Sequence, residues 1–233
     1  MAQSVAGEEG RTSAPSWMAY VLPVVVFGLM TALEGYAPRE YYPWIYLAKV
    51  IVVTIVLVAC RRSWGDMRPT IDVLPIAVLV GLAVFVQWVA LDKLIAYPHI
   101  GTRTALNPFT DIESPTARLV FLAARFYGLV LLVPLMEEVF WRSFLLRYIT
   151  DPDFTKLQQG TFSMTAFAVV AVTFAISHTE WLAAIITACA YALLLRHTRS
   201  LFACFIAHLN RSTRDWHRRV LSDTSVSASK LMI

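Results

Sequence analysis

Two adjacent carboxylates, Glu137 and Glu138, stand inside the run LVLLVPLMEEVFWRSFLLRYI, with apolar residues on both sides for more than a full helical turn. An ionisable residue at membrane depth is costly and marks a functional site by default. Arg142 follows Glu138 by four residues, which puts both on one helical face in the favourable order for an ion pair. Glu138 and Arg142 are therefore expected to neutralise each other. Glu137 stands about 100° around the helix from Glu138, with no cation of its own on that helix. A carboxylate so placed is basic enough to act as a general base near neutral pH. His178, in FAISH, is the expected partner that shares a water with it, and His208, in FIAHLNRS, is a third polar group on a later apolar segment.

The elements that must position these groups are membrane helices. Helix four is expected to run on through Phe140, Trp141, Phe144, Leu145, Leu146 and Ile149 and to break at Asp151-Pro152. Glu137 then lies roughly 18 Å from that end, at 1.5 Å per residue. By the same rise His178 lies roughly 22 Å along helix five and His208 roughly 13 Å along helix seven. Three polar groups from three helices share one depth band and are expected to converge on a buried cavity open to the cytoplasm. Pro134 removes the backbone bond to Val130 and should kink helix four one turn before the acids.

Composition fixes the class. The chain has 233 residues, of which 58% are hydrophobic and 15% charged, with a mean hydropathy of +0.59. Soluble domains average nearer 45–50% apolar and 25% charged. Stretches 17–33, 44–60, 73–91, 119–136 and 162–177 approach the about 20 apolar residues needed to span a bilayer, and the shorter 181–195 and 201–209 follow. The prediction is an all-α polytopic transmembrane bundle of about six to seven membrane helices, the last short or incomplete. Residues 1–16 are a Ser/Gly/Glu-rich tail expected to be disordered. Residues 17–116 hold N-terminal membrane helices without a recognised motif, 117–210 the core with the acids and histidines, and 211–233 a polar tail. The 17–33 stretch is longer than a signal-peptide core and lacks a small-residue cleavage site, so it reads as a retained helix.

The net charge of +4 comes from dispersed arginines and calls for no nucleic acid. Basic residues collect in the loops after helices two, four and six, which puts those loops and the N-terminus in the cytoplasm. Cys60, Cys189 and Cys204 lack CxxC spacing and read as buried apolar residues. Lys49 is expected to snorkel from a helix end, and Gln87, Trp88 and Asp92 to mark a membrane interface.

These motifs resemble the CAAX protease and bacteriocin-processing family of intramembrane glutamate endopeptidases, which includes the type II CAAX prenyl endopeptidases. Its E-E-x-x-x-R motif stands here as Glu137, Glu138 and Arg142, and its F-x-x-x-H motif as Phe174 and His178. The family's late histidine matches His208, but the asparagine due four residues later is Ser212, and the nearest is Asn210. In size and layout the chain is similar to the bacterial exosortase-associated subgroup. The resemblance implies that Glu137 and His178 activate water against a peptide bond and that His208 holds the oxyanion, with Glu138, Arg142, Phe174 and Asn210 in support. The implied substrate is a membrane-associated peptide or lipidated protein in the bilayer, and no cofactor is implied. A zinc version would use Glu137, His178 and His208 as ligands, although H-E-x-x-H is absent.

Past Asn210 the composition turns abruptly polar, RSTRDWHRRVLSDTSVSASKLMI. Either helix seven is a half-helix ending in a cytoplasmic or re-entrant tail, or the C-terminus is foreign to the family, as a reading-frame change just after His208 would produce. The second is the expectation. On that basis one oxyanion group is missing. Two rival classes follow: an impaired family member acting as an immunity or scaffold protein, and a transporter-like proton relay. A relay predicts buried acids on several helices, whereas the other acids here fall near helix ends or in loops.

Overall fold

The computed structural model describes residues 17–101 and 106–230, with the helical backbone alone over 221–230. The 1–16 tail expected to be disordered lies outside the described residues. Among those described, every regular element is helical. Seven helices carry the fold: α1 (Met18–Tyr36), α2 (Tyr42–Ala59), α3 (Leu74–Leu94), α4 (Pro115–Tyr148), α5 (Met164–Ile176), α6 (Trp181–Thr198) and α7 (Leu201–Lys230). Five of them, α1 to α4 and α6, are long and apolar enough to cross a membrane, and α5 is a shorter apolar helix of 13 residues. Large apolar side chains face outward along the bundle, among them Leu29, Leu33, Ile55, Leu79 and Val172. Hydrocarbon can cover such side chains at no cost, so the exposed belt fits an integral membrane protein.

Connections alternate between two ends. The 60–73, 149–163 and 199–200 segments meet at one end, where Arg147 binds Asp66 and Arg199 binds Gln158. At the other end Arg39 meets Asp111, and the Ile100 backbone N–H donates to Thr179. Trp181 Nε1 donates to the Pro98 carbonyl there, tying the α3–α4 connection over the α5–α6 turn.

Two cores result. One packs α1, α2 and the first half of α4 around Tyr46, Val50, Val53, Phe121 and Met136. The other packs α3 and α5 to α7 against the second half of α4, and alanines dominate it: Ala77, Ala166, Ala183, Ala184, Ala203 and Ala207 are fully buried. Small residues let membrane helices approach closely, where dispersion and backbone contact replace the hydrophobic drive. The closest approach is Gly81 of α3 against Ala207 of α7, where a Cβ would run into the Ala207 carbonyl.

α4 ends at Tyr148, one residue short of the expected Ile149. Its irregularity takes the form of two π-helical stretches, Gly128–Leu132 and Glu138–Leu145. They flank the short α-helical Val133–Glu137, which contains Pro134. Single π-turns of this kind are frequent at functional sites.

Two expectations are corrected. Lys49 does not snorkel: it is buried and paired with buried Glu34 of α1, with Phe27 and Tyr46 rings beside it. The pair joins α1 to α2 because neither charge could otherwise remain at that depth. Nor is α7 a half-helix, for it continues without a break to Lys230. No Gly or Pro interrupts 201–230. Arg214 bonds Asn210 and Arg219 bonds Asp215 along the helix, while Arg218 reaches Asp92 of α3 at 3.6 Å. Its apolar part alone is short.

Candidate active site

Glu137 and Glu138 sit where α4 passes from α-helical to π-helical hydrogen bonding, and they point to different partners. Glu138 is fully buried. Its Oε1 lies 3.4 Å from Arg142 and 2.8 Å from His208 Nδ1. The expected Glu138–Arg142 pair is thus present, and His208 joins it from α7. Arg142, 1% exposed, lies between the Phe174 ring at 4.5 Å and the Tyr191 ring at 5.2 Å. Its guanidinium nitrogens have no hydrogen-bond partner among the described residues, so the aromatic faces and the Glu138 charge hold it.

Glu137 faces both histidines. His178 Nε2 is 3.9 Å from Oε1, and His208 Nε2 is 4.0 Å from Oε2. Both separations exceed direct hydrogen bonding. The carboxylate keeps 14% of its side-chain surface exposed and His178 keeps 23%, so this side of the cluster is open. His178 occupies the turn after α5, where its Nδ1 meets the Phe174 carbonyl at 2.8 Å. A carbonyl only accepts, so Nδ1 carries the proton and Nε2 is the nitrogen turned to Glu137. Phe174 has a double function: its carbonyl orients His178, and its ring packs on His178 and Arg142.

The structure therefore brings Glu137, Glu138, Arg142, Phe174, His178 and His208 together. Asn210 is not with them, because its Oδ1 accepts from Arg214 away from the acids. Ser212, one turn beyond His208, is buried. Among the described residues, no three His, Cys, Asp or Glu side chains are arranged to hold a metal ion. Glu137, His178 and His208 are the three groups that a zinc ion would use, with both imidazoles 3.9–4.0 Å from the carboxylate.

Three contributors escaped the sequence reading. Trp88, assigned above to an interface, is buried with its ring edge-on to His178 at 6.3 Å. Arg211 stacks on the Trp88 ring at 3.9 Å, and its charge acts on Glu137 and His178. Tyr191 of α6 lies 5.5 Å from the His208 ring with its hydroxyl buried and unbonded among the described residues. Only the i,i+3 step from His208 to Arg211 could have flagged one of them.

Fold and cluster together define a helical membrane protein with an acid–histidine centre inside its bundle. Residues 119–210 match the family model for Rce1-like type II CAAX prenyl endopeptidases, a match that contains every residue of the cluster except Trp88 and Arg211. The match covers less than half of the chain, and within 119–210 it makes the chain similar to that family. No curated protein and no solved structure matches the chain.

Proposed function

We propose that the chain is a peptidase in which Glu137 is the general base, acting in a bacterial inner membrane on a membrane-associated or lipidated peptide. The observation that carries this reading is the gap between Glu137 and the two imidazoles: too wide for direct bonds, and suited to a shared water. A water there meets a base on one side and His178 Nε2 on the other.

The steps follow from the groups in place. Glu137 takes a proton from the water as its oxygen attacks the scissile carbonyl carbon. The carbonyl oxygen becomes an oxyanion facing His208 Nε2–H and the Arg211 guanidinium. Glu138, held by Arg142, bonds His208 Nδ1 and so orients the ring with Nε2 toward the oxyanion. The carbonyl re-forms as the C–N bond breaks, and Glu137 returns its proton to the leaving amine. Preorganised donors in a water-poor site contribute most where negative charge develops. Arg211 then supplies the electrostatic element that Ser212 lacks in place of asparagine.

The test is cleavage of a prenylated peptide ending in a CAAX sequence by purified protein in detergent, with Glu137→Gln as comparison. Cleavage that depends on Glu137 supports the reading, and cleavage that ignores the substitution removes Glu137 as base.

A further inference from the structure

The connections at the Arg147 end of the bundle enclose a polar cleft of about 460 Å³, lined among others by Asp66, Arg68, Arg147, Gln158, Thr198 and Arg199. It lies apart from the acid–histidine cluster, and three separate connections build it. Arg147 is its fixed floor. Only 4% exposed, this residue donates to Asp66 Oδ2 at 2.5 Å and to the Leu157 carbonyl at 3.1 Å, and its Nε meets the Ser143 carbonyl at 2.5 Å. Its charge is therefore met by Asp66. Arg199 stands at the rim on a left-handed residue, φ 53°, that closes α6, and one of its nitrogens donates to Gln158 Oε1 at 2.9 Å. Arg68 is exposed on the opposite connection.

Counting Arg68, Arg147 and Arg199 against Asp66, the lining carries a surplus of two positive charges. The surroundings do not cancel it: segments 60–73, 147–163 and 196–200 together hold seven Lys or Arg against four Asp. The side-chain amide of Gln158 adds a neutral donor beside the two free-standing cations, while the Thr70 and Thr198 hydroxyls donate to the Arg68 and Leu194 carbonyls. Arginine forks of this kind match the oxygens of phosphate. Basic pockets between membrane helices, at the level of the headgroups, take anionic lipids in this way. Ile71, next in sequence to Thr70 of the lining, is 80% exposed and offers apolar surface for an acyl chain.

We propose that this cleft binds a phosphate-bearing group, either the headgroup of an anionic phospholipid or a free phosphate compound, through Arg68 and Arg199 over the Arg147–Asp66 floor. The full chain in neutral maltoside detergent would be titrated with dioctanoyl phosphatidylglycerol, dioctanoyl phosphatidylcholine and inorganic phosphate, reading thermal midpoint and Kd. The expected result is saturable binding of phosphatidylglycerol and none of phosphatidylcholine. Arg68→Gln with Arg199→Asn should weaken it by about 25-fold, from roughly fivefold per arginine near an anionic headgroup. Asparagine tolerates the left-handed backbone at 199, so the unliganded midpoint should hold. Arg68→Gln alone, on an exposed connection, serves if the pair misfolds. Arg61→Gln with Arg62→Gln removes the same charge nearby and should leave Kd almost unchanged. Binding of inorganic phosphate without phosphatidylglycerol would identify a free phosphate compound as the source. Equal response to both lipids, no response to any probe, or equal weakening in both variant pairs would overturn the proposal.

Discussion

At the scale of single residues, His208 ties the two glutamates into one unit. Its Nδ1 bonds Glu138 while its Nε2 faces Glu137, so one imidazole spans a paired carboxylate and an open one. Glu138 and Arg142 are both almost wholly buried. Removing one partner of a buried pair strands the other charge, which costs more than the pair contributes. Arg142→Met should therefore lower stability by about 3–5 kcal/mol, read as a fall in the detergent denaturation midpoint. The double change Arg142→Met with Glu138→Gln should recover part of that loss, and recovery of none would mean that the pair is not the coupled unit. Arg211 stands differently, over Trp88 rather than bonded into the cluster, and reaches Glu137 through its charge alone. Arg211→Met should slow turnover by about 10²–10³ with KM and thermal midpoint nearly unchanged. A shift in KM alone would assign Arg211 to substrate binding.

At the scale of elements, α7 brings His208 and Arg211 to the site, and α3 holds α7 in register. The contact depends on Gly81, whose missing side chain admits the Ala207 carbonyl one residue before His208. Gly81→Leu should separate the two helices, destabilise the protein by about 1–3 kcal/mol and abolish turnover, whereas Gly28→Leu, in open space on α1, should do neither. Much of this scaffold was legible in the sequence. The apolar runs gave seven helices, and the continuation of α4 past the acids followed from Phe140 to Ile149. The polar run after Asn210 misled, because hydropathy sees the cost of charge at depth and not the pairs that meet it. Arg218 with Asp92, and Arg219 with Asp215, let a helix continue where composition alone ends it. Lys49 misled for the same reason, since its partner Glu34 sits on another helix. The convergence of Glu137, His178 and His208 was legible from depth alone, because rise per residue is fixed. Which imidazole nitrogen meets which carboxylate was not, since that depends on rotation about each helix axis and on the π-helical register after Glu137.

At the scale of the whole molecule, two cores divide the work. The Tyr46–Phe121 core and the Glu34–Lys49 pair hold α1 and α2 to the first half of α4, while the alanine-rich core carries the second half of α4 with the histidine-bearing elements. The acid–histidine centre lies within the second core, with His178 on the α5–α6 turn, and its open side is that of Glu137 and His178. Such placement excludes bulk water while leaving a path to the carboxylate, the condition under which a single bound water can be activated. Among the described residues, the buried acids outside this centre are Glu34, paired with Lys49, and Glu180, at the α5–α6 turn two residues from His178. Cleavage of a prenylated CAAX peptide in detergent, wild type against Glu137→Gln, tests the central claim most directly. The account predicts turnover by the wild type and a loss of about 10²–10⁴ in the variant, at an unchanged thermal midpoint; equal turnover by both proteins, or none by the wild type, would contradict it.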